Sequence, residues 1–199
     1  MRLWTIQPKT VLEIIEEKGQ FRCNPKQSEL LTEYSSTYKP AYNWLVAHMR
    51  RRIGRPPVGI KYPIWAWHTF DGKHRKPDLR KAEFKNYSEP MVCIEIEIPD
   101  KQVLLSDEED WHVVLNNIYF ADAESEEDFD LEHAWFDSLP RQEQKEIKQK
   151  SWEKIFKITS QNQYVQATFW ELRKERIISV TPMKPKKVKT VYKPTTDVK

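Results

Sequence analysis

The stretch Met91-Val92-Cys93-Ile94-Glu95-Ile96-Glu97-Ile98 decides how this chain is read. Its second half alternates charge with isoleucine at a period of two, the signature of a half-buried β-strand. Glu95 and Glu97 take one face, and Cys93 or its neighbours point inward. Pro99-Asp100 turns the chain, and Gln102 to Leu105 reads as a second extended piece. Ser106 is placed to cap a helix whose first turn carries Asp107, Glu108 and Glu109, where negative charge suits the helix dipole. Trp111, Val114, Leu115 and Ile118 would form its core face.

Upstream, His68 to Pro90 is a long polar loop of the kind that carries function or stays mobile. Ile60 to Trp67 reads as a strand, which Pro63 would place at a sheet edge. A helix spans Pro40 to Arg52, with Trp44, Leu45 and Met49 on one side, and Gly54-Arg55-Pro56-Pro57 breaks it. At the start, Leu3 to Ile6 is a short strand, and Gln7-Pro8 opens a helix with Val11, Leu12, Ile14 and Ile15 as its stripe. Gly19 stops that helix. Downstream, Pro140 to Phe156 is a charged helix whose contacts fall on Ile147, Trp152, Ile155 and Phe156; Tyr164 to Leu172 and Ile177 to Val180 close the chain as strands. The pattern is α+β: a single domain over residues 1–182 with a mixed, partly antiparallel sheet flanked by helices.

Composition narrows the function classes. With 199 residues and four scattered glycines, the chain has neither GxGxxG nor GxxxxGK[ST], so phosphate-cradling loops are unsupported. Cys23 and Cys93 stand alone, without a CxxC pair, and read as buried thiols in a reducing cytoplasm. His68, His74, Asp71 and Asp78 lack metal-ligand spacing. No run approaches the roughly 20 apolar residues of a membrane span, and no cleavable leader is visible; the chain reads as cytoplasmic.

The net charge of +3 conceals segregation. Lys184 to Lys199 holds six Lys and one Asp, and the remainder has 27 basic and 29 acidic residues. The tail over 183–199 reads as a basic, disordered extension. Asp122 to Glu132 carries seven acids in eleven residues and reads as a solvated loop, opposed by Arg50-Arg51-Arg52 and by six Lys/Arg between Lys73 and Lys85.

Two polar–aromatic constellations stand out among eight Trp. Trp65 and Trp67 share a strand face and precede His68, Asp71, Lys73, His74, Lys76, Asp78 and Arg80; two indoles beside cations suit stacking of a base or nicotinamide. In Gln166-Ala167-Thr168-Phe169-Trp170-Glu171, alternation groups Gln166, Thr168 and Trp170 on one face, a polar mixture that needs partners.

Leu3-Trp4-Thr5-Ile6-Gln7, Tyr62-Pro63-Ile64-Trp65-Ala66-Trp67, Lys76-Pro77-Asp78-Leu79-Arg80 and Tyr164 through Leu172 together resemble the bacterial domain-of-unknown-function family 3841, over residues 1 to about 182. More distantly, the strand LWTIQ, the helix, Gly19 and Phe21 resemble the opening of ADP-ribosyltransferase-like folds. That second resemblance implies an NAD-like ligand: Thr5 would orient its ribose, Trp65 or Trp67 would stack the nicotinamide, and Gln166 would fall near the catalytic position, with Glu171 the neighbouring carboxylate. Thr5 replaces His or Arg, and an amide at Gln166 stabilises an oxocarbenium-like state less than a carboxylate does.

Two functions follow as expectations. The first is binding of NAD or another nucleotide in a Trp-rich cleft with transfer of ADP-ribose, with Thr5, Gln166 and Glu171 as catalytic candidates and Trp4, Arg22, Trp65, Trp67, His68 and Arg80 as ligand-binding ones; Arg22 or Arg80 would hold phosphate. The second is a non-enzymatic nucleic-acid- or protein-binding module using the Arg50–Lys85 basic surface and the tail.

Overall fold

A computed structural model describes residues 1–27, 32 and 35–184. Its frame is a six-stranded sheet. β1 (Arg2–Pro8), β3 (Ile64–Thr69), β4 (Met91–Glu97), β5 (Leu104–Asp107), β6 (Val165–Phe169) and β8 (Ile177–Met183) lie in the order β5-β6-β3-β1-β4-β8. Every pairing is antiparallel. β2 (Gln20–Arg22) and β7 (Glu171–Arg173) form a separate antiparallel ribbon. With the helices described below, the protein is a single α+β domain.

The strand Met91–Glu97 is where the alternation placed it, but its start is buried on both faces. Val92, Ile94 and Ile96 join a core with Leu3, Ala66 and Ala167, against which α1 (Lys9–Lys18) packs Val11 and Ile15. Cys93 is buried on the opposite face with Trp4, Phe70, Phe84 and Met183. The cover on that side comes from residues 70–90, the stretch expected as a polar loop. Phe70, Pro77 and Phe84 are buried within it, and Gly72 N–H donates to Gln163 O at 2.8 Å. Scattered apolar residues without a period gave no strand or helix signal, yet they suffice to anchor a loop.

Other differences have local causes. β3 begins after Pro63 and runs between β1 and β6, so the proline caps an interior strand and marks no edge. α2 (Ser35–Arg52) extends through Pro40, which removes one hydrogen bond near the helix start. Ser106 lies in β5, and Asp107 is the cap of α3 (Glu108–Leu115), accepting from Asp110 N–H. Ile118 falls beyond that helix and is half exposed. The acidic run is largely helical. Ser125 caps α4 (Glu126–Ser138), and Glu126, Glu127 and Asp128 occupy its first turn, where the dipole favours them. α5 (Arg141–Ser151) passes into a 3-10 segment, Trp152–Phe156, that buries Trp152 and Ile155. Together with α2 and α3, that segment forms an aromatic core around Tyr42, Trp44, Trp111 and Trp152. Gly19 closes α1 in the left-handed conformation, its N–H bonded to Ile15 O. The basic tail expected over 183–199 lies outside the described residues from 185 onward.

Candidate functional site

A groove of about 570 Å³ opens where β1 ends, α1 begins and β3 starts. Ile6, Val11 and Ile14 give it an apolar wall, and Phe21, Cys23 and Trp65 line it with an aromatic and thiol surface. Gln7 and Asn24 are polar groups on its rim, and Glu89 is the carboxylate that lines it. Concave, mainly apolar grooves with a few fixed polar groups are the usual setting for small ligands.

Thr5 governs the best-fixed of those groups. Its hydroxyl donates its one hydrogen to Trp65 O at 2.7 Å. It can therefore only accept from Gln7, whose Nε2 lies 2.7 Å away. The Gln7 amide is thus held with Nε2 toward Thr5, and Oε1 makes no hydrogen bond among the described residues. Thr5 itself is fully buried and acts through Gln7. Beside the groove, burial pushes the Tyr42 phenol up to about 12, with Cys23 adding to it. Burial also raises the Cys23 thiol, so it is a poor nucleophile at neutral pH.

The other expected residues are dispersed. Trp65 packs on Tyr42 and Trp111 under the helices. Trp67 packs on Phe70 and Tyr164 under the loop. Trp67 is paired with Gln166, which also pairs with buried Ser106; by alternation this is the opposite sheet face from Thr5. Trp4 is buried and meets His74 edge-on at 5.5 Å. His68 lies 4.1 Å from His74, ring to ring, and its pKa is lowered to about 4 by burial and then by His74. Arg80 is exposed and paired locally with Asp78 at 2.8 Å.

Glu171 and Arg22 do meet, as register partners on the β2–β7 ribbon. Arg22 reaches the Glu171 carboxylate at 3.3 Å, and Arg173 engages its other oxygen. Glu171 is thus a buried counter-ion between two guanidiniums. Thr5, Gln166 and Glu171 occupy three separate surfaces.

Sequence reasoning passed over Gln7, Cys23 and His48. The period-two relation of Gln7 to Thr5, and of Cys23 to Phe21, was the available signal. His48 follows Trp44 by one helical turn and is buried at a ring distance of 4.3 Å from it. Burial and then Arg51 lower its pKa to about 4. It lines a pocket of about 590 Å³ with Arg51, Lys145, Lys150 and Glu153. No group of three or more His, Cys, Asp or Glu residues is gathered as a metal site among the described residues. No helix among them is long and apolar enough to cross a membrane.

An α+β domain with a mainly apolar groove at the end of β1 is the class that these features define. A family model described as "Domain of unknown function (DUF3841)" matches residues 2–178, and the chain belongs to that family. No curated protein and no solved structure matches it.

Proposed function

We propose that the chain is a ligand-binding domain whose groove takes a planar, amide-bearing or heteroaromatic ring, as in the nicotinamide of NAD or a nucleobase. The observation that carries this reading is the Gln7 amide, oriented by the Thr5 hydroxyl at the lining of a groove that Phe21 and Trp65 also border. An oriented amide reads a hydrogen-bonding edge, and the aromatic wall supplies apolar contact. The reading is of binding without ADP-ribosyl transfer: Glu89, an exposed rim residue, is the carboxylate available to the groove.

Intrinsic Trp fluorescence titrated with nicotinamide, NAD and ADP-ribose tests it. Nicotinamide and NAD should quench saturably at low and high salt, ADP-ribose less, and Thr5→Val should weaken the response about tenfold, near the worth of one oriented hydrogen bond. An unchanged nicotinamide response in Thr5→Val would sink the amide reading.

A second reading, a non-enzymatic nucleic-acid-binding module, draws on the exposed Arg50, Arg51 and Arg52 at the end of α2 and on Lys145 and Lys150 facing Arg51 across their pocket. Oligonucleotide binding that falls steeply with added salt would support it.

A further inference from the structure

We infer that a pocket on the ribbon side of the molecule is a binding site for a phosphate group. The pocket, of about 250 Å³, is lined by Arg55, Gln102, Trp170, Glu171, Arg173 and Arg176. Three guanidiniums face it against one carboxylate. That carboxylate is already engaged by Arg22 and Arg173. Arg55 and Arg176 have no ion pair among the described residues, so two positive charges remain without a counter-charge in a concavity.

The Arg173 guanidinium and the backbone that carries Arg55 are fixed before any ligand arrives. Glu171 is buried and clamps Arg173. The Trp170 indole N–H donates to Gly54 O at 3.0 Å, which pins the loop that carries Arg55. Gly54 holds φ +91, in a region that favours glycine. Gln102, with no side-chain hydrogen bond among the described residues, adds a neutral donor. Planar guanidiniums match phosphate oxygens in pairs, where lysines would act as point charges. A net charge of two at the pocket wall suits a phosphomonoester dianion or pyrophosphate better than a monoanionic carboxylate. In the basic run of the 70–90 loop, Arg80 and Lys81 are each bound to an aspartate and the other cations are exposed.

The site is separate from the Gln7 groove. Phe21 on β2 and Cys23 just after it line the groove, while Arg22 between them pairs with Glu171. The inference therefore stands or falls independently of the groove.

Isothermal titration of the full chain with inorganic phosphate, pyrophosphate and ribose 5-phosphate is the test, with Arg55→Ala, Arg176→Ala and Arg80→Ala alongside. The expected result is one saturable site for pyrophosphate or ribose 5-phosphate, weakened at least about tenfold by Arg55→Ala and by Arg176→Ala and unchanged by Arg80→Ala. Gln7→Ala should leave it intact. Absence of saturation up to about 10 mM of each probe, or an equal loss in Arg80→Ala, would overturn the inference. So would a single-stranded oligonucleotide that saturates and responds to Arg55→Ala when none of the three probes binds.

Discussion

The 70–90 loop and the β2–β7 ribbon are both rich in cations, yet they use them in opposite ways. In the loop, Arg80 bonds Asp78 two residues away, and Lys81 bonds Asp71, which also accepts from the Tyr164 hydroxyl at 3.0 Å. The first pair is exposed, the second half-buried, and both close short spans of chain. On the ribbon, Arg22 reaches Glu171 from 149 positions away while Arg173 stands two residues along, and the carboxylate between them is buried. In the loop, Arg80 and Lys81 are neutralised while Lys73, Arg75, Lys76 and Lys85 stay exposed without an ion pair among the described residues; beside the ribbon, Arg55 and Arg176 are left over in a concavity. Charge density along a sequence therefore does not show which cations are available. Three-dimensional pairing does.

The largest expected effect falls on the ribbon. Glu171→Gln should cost about 2 kcal/mol in urea unfolding, because it removes charged hydrogen bonds to two guanidiniums and leaves them facing each other. A loss no larger than that of Asp78→Ala would break the comparison. Trp170→Phe keeps an aromatic side chain but removes the pyrrole ring and the hydrogen bond to Gly54, and about 1–2 kcal/mol is expected, with increased proteolytic cleavage near Arg55 as the second readout. Gly72→Ala should cost roughly 1 kcal/mol, since Gly72 sits at φ +66 with Gln163 Oε1 2.9 Å from the added carbon.

A pH titration sharpens the contrast further. His68, on the sheet beneath the loop, faces His74, the N-terminal amine and Asp100, and its pKa lies at about 4 against an ordinary value near 6.5. The unfolded chain then binds more protons between those values, so stability is retained above pH 6.5 and falls as pH drops toward 4. Urea midpoints from pH 7 to 5 should show this slope, and His68→Gln should flatten it in part, with His48 supplying a similar share. The smallest effect is reserved for Asp78→Ala. Its pair lies at the surface and its backbone hydrogen bond from Arg80 N–H is open to water, so the shift of the urea midpoint should be smaller than for any substitution above.

Much of the framework was legible in the sequence. The alternation of Met91–Ile98, the glycine after α1 and the late strands all correspond to elements of the structure. What periodicity misjudged was context. Pro63 looked like an edge marker because a strand was drawn through it, and the acids of 122–132 looked like a solvated loop because their value at a helix start depends on Ser125. The site was less legible. Trp65 and Trp67 share a face, as alternation requires, yet they enter different clusters, since alternation says nothing about which element lies above each residue. Glu171 and Arg22 were both singled out, but as reagents; their register pairing makes them partners. Gln7 was written into the first motif without a role, because its significance comes from a hydroxyl whose hydrogen is spent elsewhere.

The position of β1 at the centre of the sheet has a kinetic consequence. Its hydrogen-bonded neighbours are reached only after long excursions: Thr5 bonds a residue 60 positions on, and Leu3 pairs with Ile96. The middle of the sheet cannot form by zipping adjacent hairpins. Both closures must come before the central pairings stabilise anything, so this topology predicts a slow folder, on the order of milliseconds to seconds. Substitutions in β1 should act mainly on the refolding rate if that closure is the barrier.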